Sequence, residues 1–297
     1  PTPQFTYSSA NHFTLRILNV LYLILSSIPS KKVQSQITMA LVVFSRKDSF
    51  VCCLLFIIVS EASAQYNTVF CDNNKGNHTV NSTYNTNLNT LLSTLSSHTE
   101  INYGFYNLSY GQNEDKVNAI GLCRGDLKPD ECRSCLNDAR GNLTQRCPNQ
   151  KEAIIYYDEC LLRYSNRSIF GVMETSPDFV LLNIQNATDV DQFNQVLRNL
   201  MRMLTGIAAS GDSRRKYAAA SATATNSQAI YGLVQCTPDL SQQECNHCLV
   251  GAILEIPRCC NGKIGGRVLR PSCNIRYEDY PFYDEPTAYA PAPSPSL

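Results

Sequence analysis

Sliding the chain against itself by 113 residues lays Cys123, Cys132, Cys135, Cys147 and Cys160 on Cys236, Cys245, Cys248, Cys260 and Cys273 without a gap. The same shift matches Asp126 with Asp239, Leu127 with Leu240, Glu131 with Glu244, Leu136 with Leu249, Arg163 with Arg276 and Tyr164 with Tyr277. A five-cysteine register kept over that distance means two copies of one folding unit. Upstream of each cluster lies an apolar face at three-and-four spacing: Leu88, Leu91, Leu92 and Leu95 in the first copy, Phe193, Val196, Leu197, Leu200 and Leu204 in the second. That period predicts an amphipathic helix. Downstream, Ala153 to Tyr157 and Gly266 to Leu269 are β-prone, and each copy closes on a strand-like segment, Leu161 to Tyr164 or Asn274 to Tyr277. Helices packed on an antiparallel sheet follow, an α+β unit used twice.

The chain opens on Pro1 and its first methionine is Met39, so residues 1–38 are set aside as an untranslated leader or gene-model artefact. From Met39 the pattern is secretory: basic Arg46 and Lys47, an apolar run from Phe50 to Val59, and Ala62-Ser63-Ala64 as a small-residue cleavage site. The run is about half of the roughly 20 residues a membrane span needs, so residues 39–64 are assigned as a signal peptide and no span is expected. Of the 14 cysteines, Cys52 and Cys53 fall in that segment, and an even number enters an oxidising compartment where disulfides form. Sequons begin at Asn77, Asn81, Asn107, Asn142, Asn166 and Asn186, in keeping with secretion and a glycan-decorated surface.

About 230 residues remain after the signal, enough for two small domains. The boundaries expected are 65–170 and 178–283, with a tail over 284–297 whose Pro, Ala and Ser cannot bury a core. Formal net charge is zero, with 25 Lys and Arg against 25 Asp and Glu, and neither sign gathers into long runs. A nucleic-acid partner, which needs a basic face, is therefore not expected. No Ser-His-Asp constellation, nucleotide loop or paired carboxylate spacing is legible, so the chain reads as no enzyme.

The element C-x8-C-x2-C at Cys123, Cys132 and Cys135, the run Tyr156-Tyr157-Asp158-Glu159-Cys160-Leu161-Leu162-Arg163-Tyr164, and the run Gly265-Gly266-Arg267-Val268-Leu269-Arg270-Pro271-Ser272-Cys273-Asn274 resemble plant cysteine-rich repeat secretory proteins. They are equally similar to the ectodomains of cysteine-rich receptor-like kinases. Both carry tandem ginkbilobin-like, or stress-antifungal, domains. The resemblance implies two helices against a five-stranded antiparallel sheet in each domain. It also implies a bridge order that six cysteines alone leave open among fifteen pairings: Cys71 with Cys147, Cys123 with Cys132, Cys135 with Cys160, then Cys236 with Cys245 and Cys248 with Cys273. The second copy departs from the pattern. Leu182 stands at the first cysteine position and Cys259 is additional, leaving Cys260 a vicinal bridge, free thiols or a bridge to another chain. Adjacent α-carbons lie about 3.8 Å apart, below the roughly 4.4–6.8 Å usual for a disulfide.

The resemblance also carries a candidate site. Ginkbilobin-like antifungal proteins bind mannose through an Asn after the first cysteine, an Arg in a Gly-x-Arg-Val strand and a Glu after the last cysteine. The second copy has Asn183, Arg267 and Glu278 there; the first has Asp72, Ile154 and Ser165. A carboxylate accepts from neighbouring hydroxyls while amide and guanidinium donate to ring and hydroxyl oxygens. The plainer alternative is a cross-strand Arg267–Glu278 ion pair with Asn183 in a turn. Cys132-Arg133-Ser134-Cys135 and Cys245-Asn246-His247-Cys248 imitate zinc or thioredoxin elements, but the bridges implied by the resemblance occupy all four cysteines, and neither cofactor nor metal is expected. His247 is expected at the surface. Three functions are carried forward: a secreted, non-catalytic stress or defence protein of the apoplast, binding a mannose-type glycan or an extracellular protein; the ligand-sensing region of a receptor-like kinase; and an interaction module without a small ligand.

Overall fold

The computed structural model describes residues 67–97, 99–225 and 228–284. The leader and signal readings, and the tail beyond Asp284, lie outside them. In the first repeat β1 (Thr68–Cys71), β2 (Phe105–Tyr110), β3 (Val117–Cys123), β4 (Ala153–Tyr156) and β5 (Cys160–Ser165) form one antiparallel sheet in the order β1-β4-β5-β3-β2. Helices α1 (Thr83–Ser97) and α2 (Pro129–Arg146) cover one face. The second repeat copies this plan with β6 (Phe179–Leu182), β7 (Lys216–Thr225), β8 (Gln228–Cys236), β9 (Gly266–Leu269) and β10 (Cys273–Glu278), ordered β6-β9-β10-β8-β7. Its helices are α3 (Val190–Ala209), α4 (Gln242–Ile253) and the short α5 (Ile256–Cys259). Among the described residues, no helix is long and apolar enough to cross a membrane.

The cysteine spacing explains how each sheet is fixed to its second helix. Cys132 and Cys135 lie three apart, on one face of α2. Cys123 of β3 and Cys160 of β5 are direct cross-strand partners. One helical face therefore reaches two neighbouring strands, through Cys123–Cys132 and Cys135–Cys160 with Cα separations of 5.5 and 6.1 Å. Cys236–Cys245 and Cys248–Cys273 repeat the arrangement in the second copy. Cys71–Cys147 ties edge strand β1 to the end of α2. In the second copy Leu182 pairs with Gly266 as Cys71 pairs with Ala153, and Cys260 is bridged to Cys259 with their Cα atoms 3.7 Å apart.

The apolar faces anticipated from periodicity are buried: Leu88, Leu91, Leu92 and Leu95 under the first sheet's helices, Phe193, Leu197, Leu200 and Leu204 in the second core, with Val196 packed at its margin. Strands β3 and β5 are buried at every position. One sheet face meets the helices; the opposite face meets the other repeat. Phe105, Ile120, Leu122, Ile154, Tyr156 and Leu161 pack there with Leu269, Phe179 and Leu181 of the second sheet. Ion pairs lock the connecting segment: Glu174 takes both Arg163 and Arg167, and Arg167 also holds Glu152 at 2.8 Å.

Candidate functional site

Asn183, Arg267 and Glu278 come from three places in the second sheet, the residue after β6, the second residue of β9 and the last of β10. Antiparallel pairing sets them together on the face turned toward the first repeat. With Asp158, Arg276 and Tyr280 they line an open cleft of about 260 Å³. Gly265 makes the convergence possible: a Cβ there would run into the Glu278 carboxylate and touch Asn183. The Asn183 amide N–H donates to the Gly265 carbonyl at 2.9 Å, which holds the chain after β6 against this loop.

Each polar group in the cleft already has an internal partner. The Asn183 Oδ1 accepts from the Gln185 amide at 3.0 Å, the turn geometry of the plainer reading. Glu278 does not pair with Arg267. Its Oε1 accepts from Arg276 Nε at 3.0 Å, because Arg276 and Glu278 lie two residues apart on one strand and share a face. Arg276 Nη2 also reaches the Tyr280 hydroxyl at 3.2 Å, and its guanidinium lies 4.3 Å from the Phe282 ring centre. Arg267 turns instead to the first repeat. Its Nη1 donates to Asp158 Oδ1 at 2.5 Å and its Nη2 to the Tyr157 carbonyl at 2.6 Å.

Burial lowers the Arg267 guanidinium and Asp158 opposes it, leaving it at about 10 and charged at neutral pH. Burial pushes the Glu278 carboxyl above the ordinary carboxylate range, against the pull of Arg276. Of the first-copy equivalents, Asp72 caps a short turn, Ile154 is buried in the seam, and Ser165 donates to Glu152. Asp158, Arg276 and Tyr280 carry no assigned role in the sequence reading. The match of Arg163 with Arg276 was the available signal, since an arginine kept on the same strand of both copies needs a carboxylate nearby.

A family model described as salt stress response/antifungal matches residues 70–167 and again residues 182–280. The chain belongs to this family. Within it, cysteine-rich receptor-like protein kinase 29 of Arabidopsis thaliana is 43% identical over 261 residues, 83% of this chain and 38% of the kinase. The chain thus spans well under half the length of that relative. Cysteine-rich repeat secretory protein 38 of the same plant is 44% identical over 179 residues, 60% of this chain and 71% of the relative. The crystal structure of the tandem DUF26 ectodomain of the Arabidopsis thaliana cysteine-rich receptor-like protein PDLP8 superposes with a TM-score of 0.61 at 20% identity, covering 72% of this chain and 97% of that one. At that identity the likeness is one of fold. The sheet-and-helix plan used twice is therefore the architecture of the stress-antifungal family's tandem ectodomains.

For a stress-antifungal chain the remaining candidates fall as follows. Asn77, Asn81, Asn107, Asn166 and Asn186 are exposed, whereas Asn142 is half-buried on α2 with its amide donating to the Tyr157 hydroxyl at 2.5 Å. Cys132, Cys135, Cys245 and Cys248 are each bridged to a strand cysteine, so neither Cys-x-x-Cys pair is a dithiol centre or half of a zinc site. His247 is exposed on α4. Among the described residues no cluster of three His, Cys, Asp or Glu side chains could hold a metal ion.

Proposed function

We propose that the chain is a non-catalytic recognition module of the plant cell exterior, acting in stress or defence, and that its second repeat takes mannose-type glycans in the seam cleft. The observation that carries this reading is the convergence of an amide, a guanidinium and a carboxylate from three separated segments on one open cleft. Its volume lies just under the roughly 300–1,000 Å³ of sites for drug-sized ligands, a scale suited to a single sugar residue. Extracellular placement is supported by the six bridges and by relatives that are secretory proteins or ectodomains. Titration of mannose and mannan against the chain from a eukaryotic secretory host tests the reading. Saturable binding is expected, weakened at least about tenfold by Arg267→Ala and by Glu278→Ala, each confirmed folded. Absence of saturable binding by the wild type removes the glycan and leaves protein recognition.

A second reading, the ligand-sensing region of a receptor-like kinase, is favoured by the 43% identity to such a kinase over 261 residues. A transcript continuing into an apolar span and kinase codons decides for it. Both readings use the same ectodomain surface.

A further inference from the structure

We infer that Asp158 is an intramolecular latch: the turn between β4 and β5 of the first repeat occupies the Arg267 guanidinium at the wall of the seam cleft, and a polyhydroxylated ligand must displace it. The inference rests on the glycan reading above and specifies how that site is regulated.

The geometry is unequal in an informative way. Both terminal nitrogens of Arg267 are taken by the first repeat, through Asp158 and the Tyr157 carbonyl, and its Nε has no hydrogen-bond partner among the described residues. Arg267 lines the cleft with both terminal nitrogens already engaged, so a ligand oxygen there has to compete for them. Yet the partners are not equally fixed. The Arg267 side chain is 12% exposed on a strand paired on both sides, whereas Asp158 is 39% exposed in a two-residue turn closed by the Tyr157 amide on the Cys160 carbonyl at 2.7 Å. The carboxylate has water to move into and the guanidinium does not, so Asp158 is the half that can leave.

Asp158 also approaches Arg276 at 3.5 Å. It therefore lies between the two arginines of the cleft and competes with any ligand oxygen for both. A hydrogen bond to a charged group is stronger than one between neutral groups, and a neutral sugar hydroxyl meets a formed charge-assisted contact at a disadvantage. Removing the carboxylate should tighten binding rather than weaken it, the reverse of what an ordinary lining residue would do.

Two readouts on the intact chain test this. The first needs no ligand: modification of arginine by a dicarbonyl reagent, followed by mass spectrometry on the peptide containing Arg267. Asp158→Ala should raise the Arg267 labelling rate at least tenfold, and Asp158→Asn, which keeps the turn chemistry, should raise it less. The second is mannose titration, where Asp158→Ala should bind at least tenfold tighter than wild type, with the gain lost when Arg267→Ala is added. Unchanged labelling in both folded variants overturns the latch. Faster labelling without mannose binding in any variant keeps the latch and removes the glycan reading. Faster labelling with equal or weaker mannose binding overturns the competition.

Discussion

Glu174 joins the two repeats, its carboxylate on the first and its backbone amide on the second. It takes Arg163, whose side chain is 4% exposed, and Arg167, while its amide donates to the Ser272 hydroxyl at 2.8 Å. Burial pushes its carboxyl up, but Arg167 and Arg163 together outweigh burial and hold it below the ordinary value of 4.5. A carboxyl whose folded value is depressed adds stability that is present above its unfolded value and lost as pH falls through the folded one. Glu174→Gln should therefore cost about 2–4 kcal/mol at pH 7, since it leaves Arg163 buried without its carboxylate. It should also flatten the part of the stability profile that falls below about pH 4.5. Urea unfolding at pH 7 and pH 3.5 measures both; an equal loss at the two pH values would count against the ion-pair account. The cleft residues show what was legible at this scale. Asn183, Arg267 and Glu278 were found because they lie within short segments of recognisable type. Asp158 was not, because its contact with Arg267 spans 109 residues and depends on how the repeats dock.

Helices α1 and α3 were read from spacing because each has one apolar face against one core, whereas α2 and α4 entered only through the family resemblance. The strands were harder. β3 is buried on both faces and lacks the alternation that marks a half-exposed strand, and unlike β5, equally buried but read as strand-like over Leu161 to Tyr164, it was not read. In β7, the run Ala218-Ala219-Ala220 has weak strand propensity, and it is a strand because small side chains let α3 approach. The second repeat's edge is the element where covalent chemistry differs. Cys71–Cys147 closes a long loop and holds β1, whereas a bridge between neighbours Cys259 and Cys260 closes none and contributes almost nothing through chain entropy. β6 is thus held by strand pairing, and Leu182 is exposed where the cysteine would stand. Leu182→Cys combined with Cys259→Ser should form a bridge from position 182 to Cys260, closing a loop like that of the first repeat, and stabilise the second repeat by about 2–4 kcal/mol. Non-reducing peptide mapping and thermal unfolding check it. A free thiol at Cys260 in the folded double variant would mean that position 182 is out of reach.

At the scale of the whole molecule, the question is whether two disulfide-stapled repeats unfold as one body. Each has its own core between sheet and helices, yet the opposite sheet faces are apolar and buried against each other. The seam is sealed at its polar margin by Arg267 with Asp158 and by Gln235 Nε2 donating to the Cys123 carbonyl at 2.8 Å. At the C-terminal end Tyr283 packs on Tyr231, and the Asp284 amide donates to Asp126 at 3.1 Å. A docked apolar face of this kind makes each repeat's stability depend on the other, and a single calorimetric transition is expected for the wild type. Ile154 and Ile155 separate docking from folding, because alternation along β4 sends Ile154 to the seam and Ile155 to the helix-side core. Ile154→Asp would bury an unpaired carboxylate between the repeats, at a penalty of several kcal/mol that undocking relieves by letting it reach water. Calorimetry should then resolve two transitions with helical circular dichroism retained below both. Ile155→Asp cannot be relieved in that way and should unfold the first repeat outright. If Ile154→Asp instead gave one transition merely shifted down, the seam would be part of a single continuous core, and ligand-driven opening at Asp158 would have to be a movement of the turn alone.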